Sequence, residues 1–191
     1  RQDFKDFEVI ITDDSSTDEV DKLVTEIFFS KNISYKYFRN NPPLGSPMNW
    51  NKAMELASGE YIKILHHDDW FNESNSLGDF VTAIDSNPKS DLAFCFTEIF
   101  NVTEKSSKIH KPESSFLDAL KQNALLLFNN NQIGSPSAII FRKKNNLVFD
   151  NRLKYLVDVD FYIQILNNNN SFVLIEKELI VNTSNNPDQV T

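Results

Sequence analysis

Gly59-Glu60-Tyr61-Ile62-Lys63-Ile64-Leu65-His66-His67-Asp68-Asp69-Trp70 is the segment from which the fold can be worked out. Gly59 suits a turn, because glycine tolerates backbone angles that other residues avoid. The apolar run over 61–65 predicts a short strand that is buried on both faces. Ligands of open α/β sheets bind beyond the carboxyl ends of the strands. Asp68 and Asp69, which follow this strand, therefore predict a hard oxygen site for Mg²⁺ or Mn²⁺ carrying a phosphate.

A second strand also ends in paired carboxylates. The apolar run over 9–12 predicts a buried strand, and it is followed by Asp13 and Asp14. Residues 16–19 match a capping box, and the apolar residues over 20–28 fall on one helical face. Parallel strands end at the same edge of a sheet, so the four carboxylates are expected to converge, and they would repel one another without a cation or hydrogen-bond donors. Taken alone, each pair is also typical of a solvated loop that caps a helix.

The rest of the chain continues this alternation. A strand is predicted over 33–38 and a helix over 49–57, which leads into the central strand, and this spacing is typical of a largely parallel sheet. Further on, helices are predicted over 77–84, 116–127 and 158–166, strands over 92–100, 137–141 and 172–175, and a mobile loop over 103–115. No internal repeat or linker is visible, so one domain is predicted over 1–191.

Composition limits the classes of partner. The net charge of −8 argues against a nucleic-acid partner, because no basic surface is available to neutralise phosphates. The single cysteine, Cys95, excludes an internal disulfide framework and suits a reducing compartment. It lies within an apolar run, which predicts a buried structural thiol. No apolar run reaches the length of about 18 residues that a membrane-spanning helix needs.

Asp158 and Asp160 open the predicted helix over 158–166. Acidic residues in a first helical turn are often no more than partners of the helix dipole. Leu156 and Val157, however, are apolar and would partly desolvate Asp158. Desolvation raises the pKa of a carboxylate toward neutral pH, which improves it as a general base.

Five segments together carry a resemblance to a known family: DFEVIITDDSSTD at 6–18, NKA at 51–53, ASGEYI at 57–62 with DDW at 68–70, GSPSA at 134–138, and DVD at 158–160. In this order and spacing they resemble inverting family 2 glycosyltransferases of the GT-A fold, over nearly the whole chain. The resemblance implies an α/β, Rossmann-like, mostly parallel central sheet flanked by helices.

The resemblance also implies roles for individual residues. Asp14 would accept a hydrogen bond from the uracil ring of a UDP-sugar, with Asp13 beside it, and Asn51 would belong to the same nucleotide-binding set. Asp68 would lie near the ribose and would also belong to the metal site. Asp69 would bind the Mn²⁺ or Mg²⁺ ion.

The implied reaction is the transfer of a sugar from a nucleotide-sugar donor to a glycan or lipid-linked acceptor, with Asp158 as the general base. The implied location is the cytoplasm, either free or peripheral at the inner face of the membrane. Two other readings of the sequence remain open. One is a non-catalytic protein that binds sugar nucleotides or acts as a scaffold, and the other is a receiver-like signalling domain.

Three features depart from the family pattern. His66 and His67 replace carboxylates that usually lead the acidic motif, and His67 is expected to pack or to support the ligands rather than to bind the metal, although histidine can ligate Mn²⁺. The family's first strand is expected to be missing, and Asn186 stands where relatives often carry a histidine. We therefore expect a fragment trimmed at both ends, with an exposed sheet edge that a homo-oligomer would cover.

Overall fold

The computed structural model describes residues 2–31, 34–167 and 169–186. Ile33, with which a strand was predicted to begin, and residues 187–191 lie outside this part of the chain. In chain order the elements are β1 (Val9–Asp13), α1 (Glu19–Lys31), β2 (Tyr35–Arg39), α2 (Ser46–Leu56), β3 (Tyr61–Ile62), β4 (Trp70–Phe71), α3 (Ser76–Asp85), β5 (Leu92–Asn101), β6 (Ser106–His110), α4 (Ser114–Leu120), 3-10 helices at Ala124–Phe128 and Pro136–Ala138, β7 (Ile139–Arg142), α5 (Val157–Leu166) and β8 (Phe172–Ser184).

The first strand and helix form the predicted unit. β1 pairs with β2 in parallel, and α1 packs beside them, with the Phe28 and Tyr35 rings 4.7 Å apart. The predicted capping box is wrong, because α1 begins at Glu19, so Asp18 rather than Ser16 directly precedes the helix and Glu19 is its first rather than its third residue. The Glu19 carboxylate instead accepts a hydrogen bond from Thr17 Oγ1 at 3.2 Å.

The other six strands form a mixed sheet in the order β3-β7-β5-β8-β4, with β6 paired to β5. β5 and β8 run parallel, whereas β3 with β7, β4 with β8, and β5 with β6 and β7 are antiparallel. The α/β class is confirmed. Within the described residues, no hydrogen-bonded ladder joins β1–β2 to the six-stranded sheet, so β1 and β3 each have one strand neighbour.

Several strand boundaries differ from the predicted ones. β3 ends at Ile62 rather than at Leu65, so residues 63–69 form an irregular segment between β3 and β4. β8 continues to Ser184, far beyond the predicted end at 175. The segment predicted as a mobile loop contains β6, which forms a hairpin with β5. Long-range pairing decides these limits, and local sequence patterns do not contain it.

The core lies on both faces of the six-stranded sheet. Alternate residues of β5 point to opposite faces, so that Leu92 and Phe94 join one apolar cluster while Ala93 and Cys95 join the other. Cys95 is buried, as predicted. The first cluster also receives α5, which carries Asp158, and the second receives α3. No helix within the described residues has the length and apolar character needed to cross a membrane.

Candidate active site

The irregular segment after β3 brings together three side chains that could hold a metal ion. His66, Asp68 and Asp69 each offer one ligand atom, and these atoms lie within 4.8 Å of one another. One imidazole nitrogen with two carboxylate oxygens fits Mn²⁺ and is less suited to Mg²⁺, which prefers oxygen ligands alone. His67, by contrast, is exposed and does not belong to this group.

His66 is held in place by both its backbone and its ring. Its backbone N–H donates to Ser137 Oγ at 3.0 Å, and its imidazole stacks on the indole of Trp50, with ring centroids 5.0 Å apart. Burial lowers the pKa of His66, so the neutral ring is favoured. Its buried Nε2 atom has no hydrogen-bond partner among the described residues. Buried polar atoms normally have a partner, so this ring is suited to a ligand.

The two carboxylates of the group are fixed by one residue of the last strand. Thr183 is buried on β8; its Oγ1 donates to Asp68 Oδ2 at 3.0 Å, and its backbone N–H donates to Asp69 Oδ1 at 3.4 Å. A residue that orients the ligands of a metal tunes its affinity. The prediction that β8 ends at 175 left Thr183 out of consideration.

Lys63 is the first residue of the irregular segment that carries Asp68 and Asp69. The residue as a whole is half-buried, but its amino group is enclosed, 4.9 Å from the centre of the Phe80 ring. It donates to the backbone oxygens of Ile64, at 2.8 Å, and of Ser137. Burial lowers the pKa of Lys63 to about 7, although the nearby Asp69 carboxylate opposes this shift. The strand prediction had treated Lys63 only as part of an apolar run.

Asp158 lies in the first turn of α5, close to the metal-binding group. Burial raises the pKa of Asp158, and hydrogen bonds from the backbone N–H groups of Val159 and of Asp158 itself, followed by the nearby His66, partly counter that rise. Its Oδ2 accepts a hydrogen bond from Asn131 Nδ2 at 3.1 Å. Asp160 faces a different environment, where it accepts a bond from Gln164 Nε2 at 2.7 Å and lines an open cavity of about 560 Å³ between α2 and α5.

Asp13 and Asp14 lie outside the metal-ligand group found in the described residues, and the predicted convergence of the four carboxylates stays a prediction. Protein donors satisfy them instead. Asp13 is buried; burial tends to raise its pKa, but hydrogen bonds from Tyr37 and Ser15 bring the pKa below its ordinary value. No cation is needed to relieve repulsion at this strand end.

Asp14 organises the loop that leads into α2. Its Oδ1 accepts from Asn40 Nδ2 at 2.7 Å and from Leu44 N at 3.2 Å, and its Oδ2 accepts from Gly45 N at 2.8 Å. A carboxylate offers about four accepting positions, so Oδ2 keeps one position for a further donor. The predicted contact of Asp14 with uracil stays a prediction.

Asn51 bridges α2 to the segment after β7. Its Nδ2 donates to Phe149 O and its Oδ1 accepts from Phe149 N, each at 2.8 Å. This structural contact was not visible in the sequence. One donor and one acceptor position remain on the amide, and the predicted contact of Asn51 with the nucleotide stays a prediction.

The known proteins that are similar to this chain include several glycosyltransferases. The family model described as "Glycosyl transferase family 2" matches residues 1–148. An uncharacterized glycosyltransferase of Methanocaldococcus jannaschii is 27% identical over 180 residues, which cover 94% of this chain and 61% of the relative. The GalNAc(5)-diNAcBac-PP-undecaprenol beta-1,3-glucosyltransferase of Campylobacter jejuni is 41% identical over 69 residues, covering 36% of this chain and 22% of that enzyme.

Two solved structures share the fold, and both are GT-A glycosyltransferases. S. aureus TarS 1-349 in complex with UDP matches with a TM-score of 0.70 and 24% identity, over 96% of this chain and 53% of that 1-349 chain. The mannosyltransferase PcManGT from Pyrobaculum calidifontis, in complex with GDP-Man and Mn²⁺, matches with a TM-score of 0.65 and 15% identity, over 98% of this chain and 51% of PcManGT. The chain thus spans about half the length of each of these two chains.

Proposed function

Because this chain belongs to glycosyl transferase family 2, we propose that it transfers a sugar from a nucleotide-sugar donor, a UDP-sugar, to a glycan or lipid-linked acceptor with inversion. UDP in the complex of TarS supports the choice of donor. The relative from Campylobacter jejuni, named for a diphosphoundecaprenol-linked glycan, supports the choice of acceptor. Family membership also argues against the receiver-like alternative.

One observation carries the proposal. The metal-ligand group of His66, Asp68 and Asp69 lies close to Asp158, a half-buried carboxylate with a raised pKa. In glycosyl transfer, negative charge develops on the leaving diphosphate while the attacking hydroxyl loses a proton. A divalent ion held by His66, Asp68 and Asp69 would supply positive charge to the diphosphate.

The chain's own groups perform the remaining tasks. Asp158 accepts the proton of the acceptor hydroxyl, and its raised pKa makes it a stronger base than an ordinary aspartate. Asp14, with its free accepting position on Oδ2, contacts the nucleobase, and Asp13 fixes the strand end behind it. Thr183 and Trp50 keep Asp68, Asp69 and His66 oriented, which lowers the cost of ordering them when the donor binds.

The wider assignments belong to the same proposal. Residues 1–191 form one GT-A domain, and its cofactor is Mn²⁺ or Mg²⁺. The site operates in the cytoplasm, free or peripheral at the inner face of the membrane, and self-association covers the open edges of β1 and β3. A dimer measured by light scattering would support this last point, and a monomer at high concentration would contradict it.

Thermal shift and calorimetry test the proposal. The 191-residue chain is titrated with UDP, UDP-glucose and GDP-mannose, each with Mn²⁺, with Mg²⁺ and with a chelator. UDP ligands should raise the melting temperature with Mn²⁺ and lose most of this effect with the chelator. Asp69→Asn should abolish the shift. Asp118→Asn, which removes an exposed carboxylate paired with Lys121, should leave it unchanged. A full UDP shift without metal would contradict the metal-assisted mechanism.

Turnover separates the enzyme from the second candidate, a non-catalytic protein that binds sugar nucleotides. Release of UDP during incubation with UDP-sugars and Mn²⁺ is expected of the enzyme. Tight, metal-dependent binding with no UDP release in the presence of lipid-linked acceptors would favour the binding protein. Both candidates therefore predict the same result in the titration, and only the enzyme is expected to release UDP.

A further inference from the structure

The side chain of Asn131 uses all of its hydrogen-bonding capacity within the fold. Its Nδ2 donates to Gly134 O and to Asp158 Oδ2, each at 3.1 Å. Its Oδ1 accepts from Ile133 N at 3.1 Å and from Gly134 N at 3.2 Å. An amide offers two donor and two acceptor positions, so no other residue type of this size could make the same four bonds.

The loop that carries Asn131 is tied to the helix that carries Asp158. Gly134 has a φ of 98°, a backbone conformation that disfavours other residues. Its carbonyl accepts a second hydrogen bond from the hydroxyl of Tyr162 at 3.0 Å, and Tyr162 is fully buried in α5. Asn131 and Asp158 therefore belong to one rigid unit, and the position of the amide relative to the carboxylate is fixed.

We propose that Asn131 is a positioning residue for the reaction, which holds the Asp158 carboxylate in the orientation needed to receive the acceptor proton. This inference rests on the proposed function, in which Asp158 is the base. Burial inclines the carboxylate to keep a proton, and the backbone N–H groups of Val159 and of Asp158 itself oppose this from the side of the helix. The N–H of Asn131 restricts rotation and stabilises the ionised form.

The charges around Asp158 agree with this assignment. Among the described residues, His66 and Tyr162 are two titratable groups that interact with it, and burial favours the neutral form of both. The amide of Asn131 is thus a fixed side-chain donor whose strength does not change with pH. A neutral donor suits a base that must bind and release a proton in every cycle.

Asn131→Asp is the sharpest test, because it is nearly isosteric and keeps the two accepting positions for Ile133 N and Gly134 N. It replaces the Nδ2 donor toward both Asp158 and Gly134 O with a carboxylate oxygen, which repels both acceptors. We expect the turnover rate at saturating UDP-sugar to fall about tenfold or more, the scale of a misplaced catalytic group. Donor affinity should stay within about threefold. Asn130→Asp is the matched control, since it adds the same charge at an exposed neighbouring position and should leave turnover unchanged.

A double-mutant cycle makes the test specific. In an Asp158→Asn background, Asn131→Asp should cause little further loss, because a positioning residue has nothing left to position. If the two losses multiply, or if Asn131→Asp behaves like Asn130→Asp, the positioning role is wrong. If Asp158→Asn alone retains normal turnover, the base assignment fails first and the inference fails with it. Should Asn131→Asp not fold, Asn131→Ser keeps a shorter loop-bonding hydroxyl and should show the same losses.

Discussion

The indole of Trp50 stacks on the imidazole of His66, with planes inclined by 20°. The same indole contacts the ring of Phe149 edge-on, with centroids 5.0 Å apart. Trp50 belongs to α2, which also hydrogen-bonds to β1 through Asn49 and Thr12. α2 therefore connects the first acidic strand end to the second, although no β-ladder joins the two sheets in the described part of the chain.

Trp50 should report metal binding by its fluorescence. The chain has two tryptophans, so Trp70→Phe leaves Trp50 as the only tryptophan, whose emission is excited selectively at wavelengths that tyrosine does not absorb. Mn²⁺ is paramagnetic and should quench it in a saturable manner, whereas Mg²⁺ should quench far less. His66→Ala in this background should weaken the Mn²⁺ response about tenfold or more, as expected for a lost ligand. Quenching that rises linearly, as for free tryptophan, would argue against a metal beside Trp50.

Asp158→Asn should lower the turnover rate by about a hundredfold or more, the usual scale for a lost general base. Affinity for UDP-sugar should stay within a few fold, because the base contacts the acceptor. The pair of measurements is turnover at saturating donor and donor binding by calorimetry. Asp160→Asn serves as the control and should have a much smaller effect, since Asp160 bonds to Gln164. Equal losses in both variants would remove the special role of Asp158.

Lys63→Met should raise the melting temperature near neutral pH. Burial lowers the pKa of Lys63 from 10.5 to about 7, so between these values the unfolded chain binds one more proton than the folded protein. The free energy of unfolding therefore increases as the pH rises through this window. At pH 7 the buried amine lowers the free energy of unfolding by on the order of a few kcal/mol. The two hydrogen bonds that the amine donates offset part of this loss.

Thermal unfolding at several pH values checks this sign. The difference in melting temperature between Lys63→Met and the parent should be largest at pH 7 and should shrink toward pH 10. Lys108→Met, at an exposed position on β6, controls for the loss of one charge. A constant difference across this range would mean that the Lys63 amine keeps an ordinary pKa.

Thr183→Val should weaken metal binding without disrupting the fold. The substitution removes the hydroxyl that bonds to Asp68 and keeps the backbone bond to Asp69. Loss of one hydrogen bond should cost about 1 kcal/mol in stability, and Mn²⁺ affinity should fall about tenfold. Mn²⁺ titration followed by electron paramagnetic resonance measures this directly. Unchanged affinity would show that Asp68 needs no support from β8.

Asn51→Ala separates a structural role from a role in binding. Removing both bonds to Phe149 should lower the free energy of unfolding by about 2 kcal/mol, measured in urea without nucleotide. The proposed nucleotide contact should add an independent loss of UDP affinity in the folded variant. Normal UDP affinity together with reduced stability would leave Asn51 with the structural role alone.

The elements that could be predicted from sequence are those with strong local signals. α2, α3 and α5 lie where apolar periodicity placed them, and β1 ends at Asp13 after its apolar run, whereas Asp68 and Asp69 lie well beyond the end of β3. The direction of the Asp158 pKa shift was also predicted, although Leu156, one of the two residues expected to desolvate it, is exposed. Thr183 and Asn131 carried no comparable signal. Thr183 contacts a residue 115 positions away, and Asn131 sits within a run of asparagines that resembles an ordinary turn.

The sequence by itself determined the class of fold, the family and the acidic end of β1, because these depend on local periodicity and on the order of short motifs. Only the tertiary structure decided which side chains meet. β3 ends at Ile62, so the alternation of a strand no longer assigns sides to His66 and His67. His66 turns inward because its ring stacks on Trp50 and its backbone N–H donates to Ser137 Oγ. Asp13 and Asp14 lie outside the metal-binding group, and their donors Tyr37, Asn40 and Gly45 reach them only once distant segments pack together.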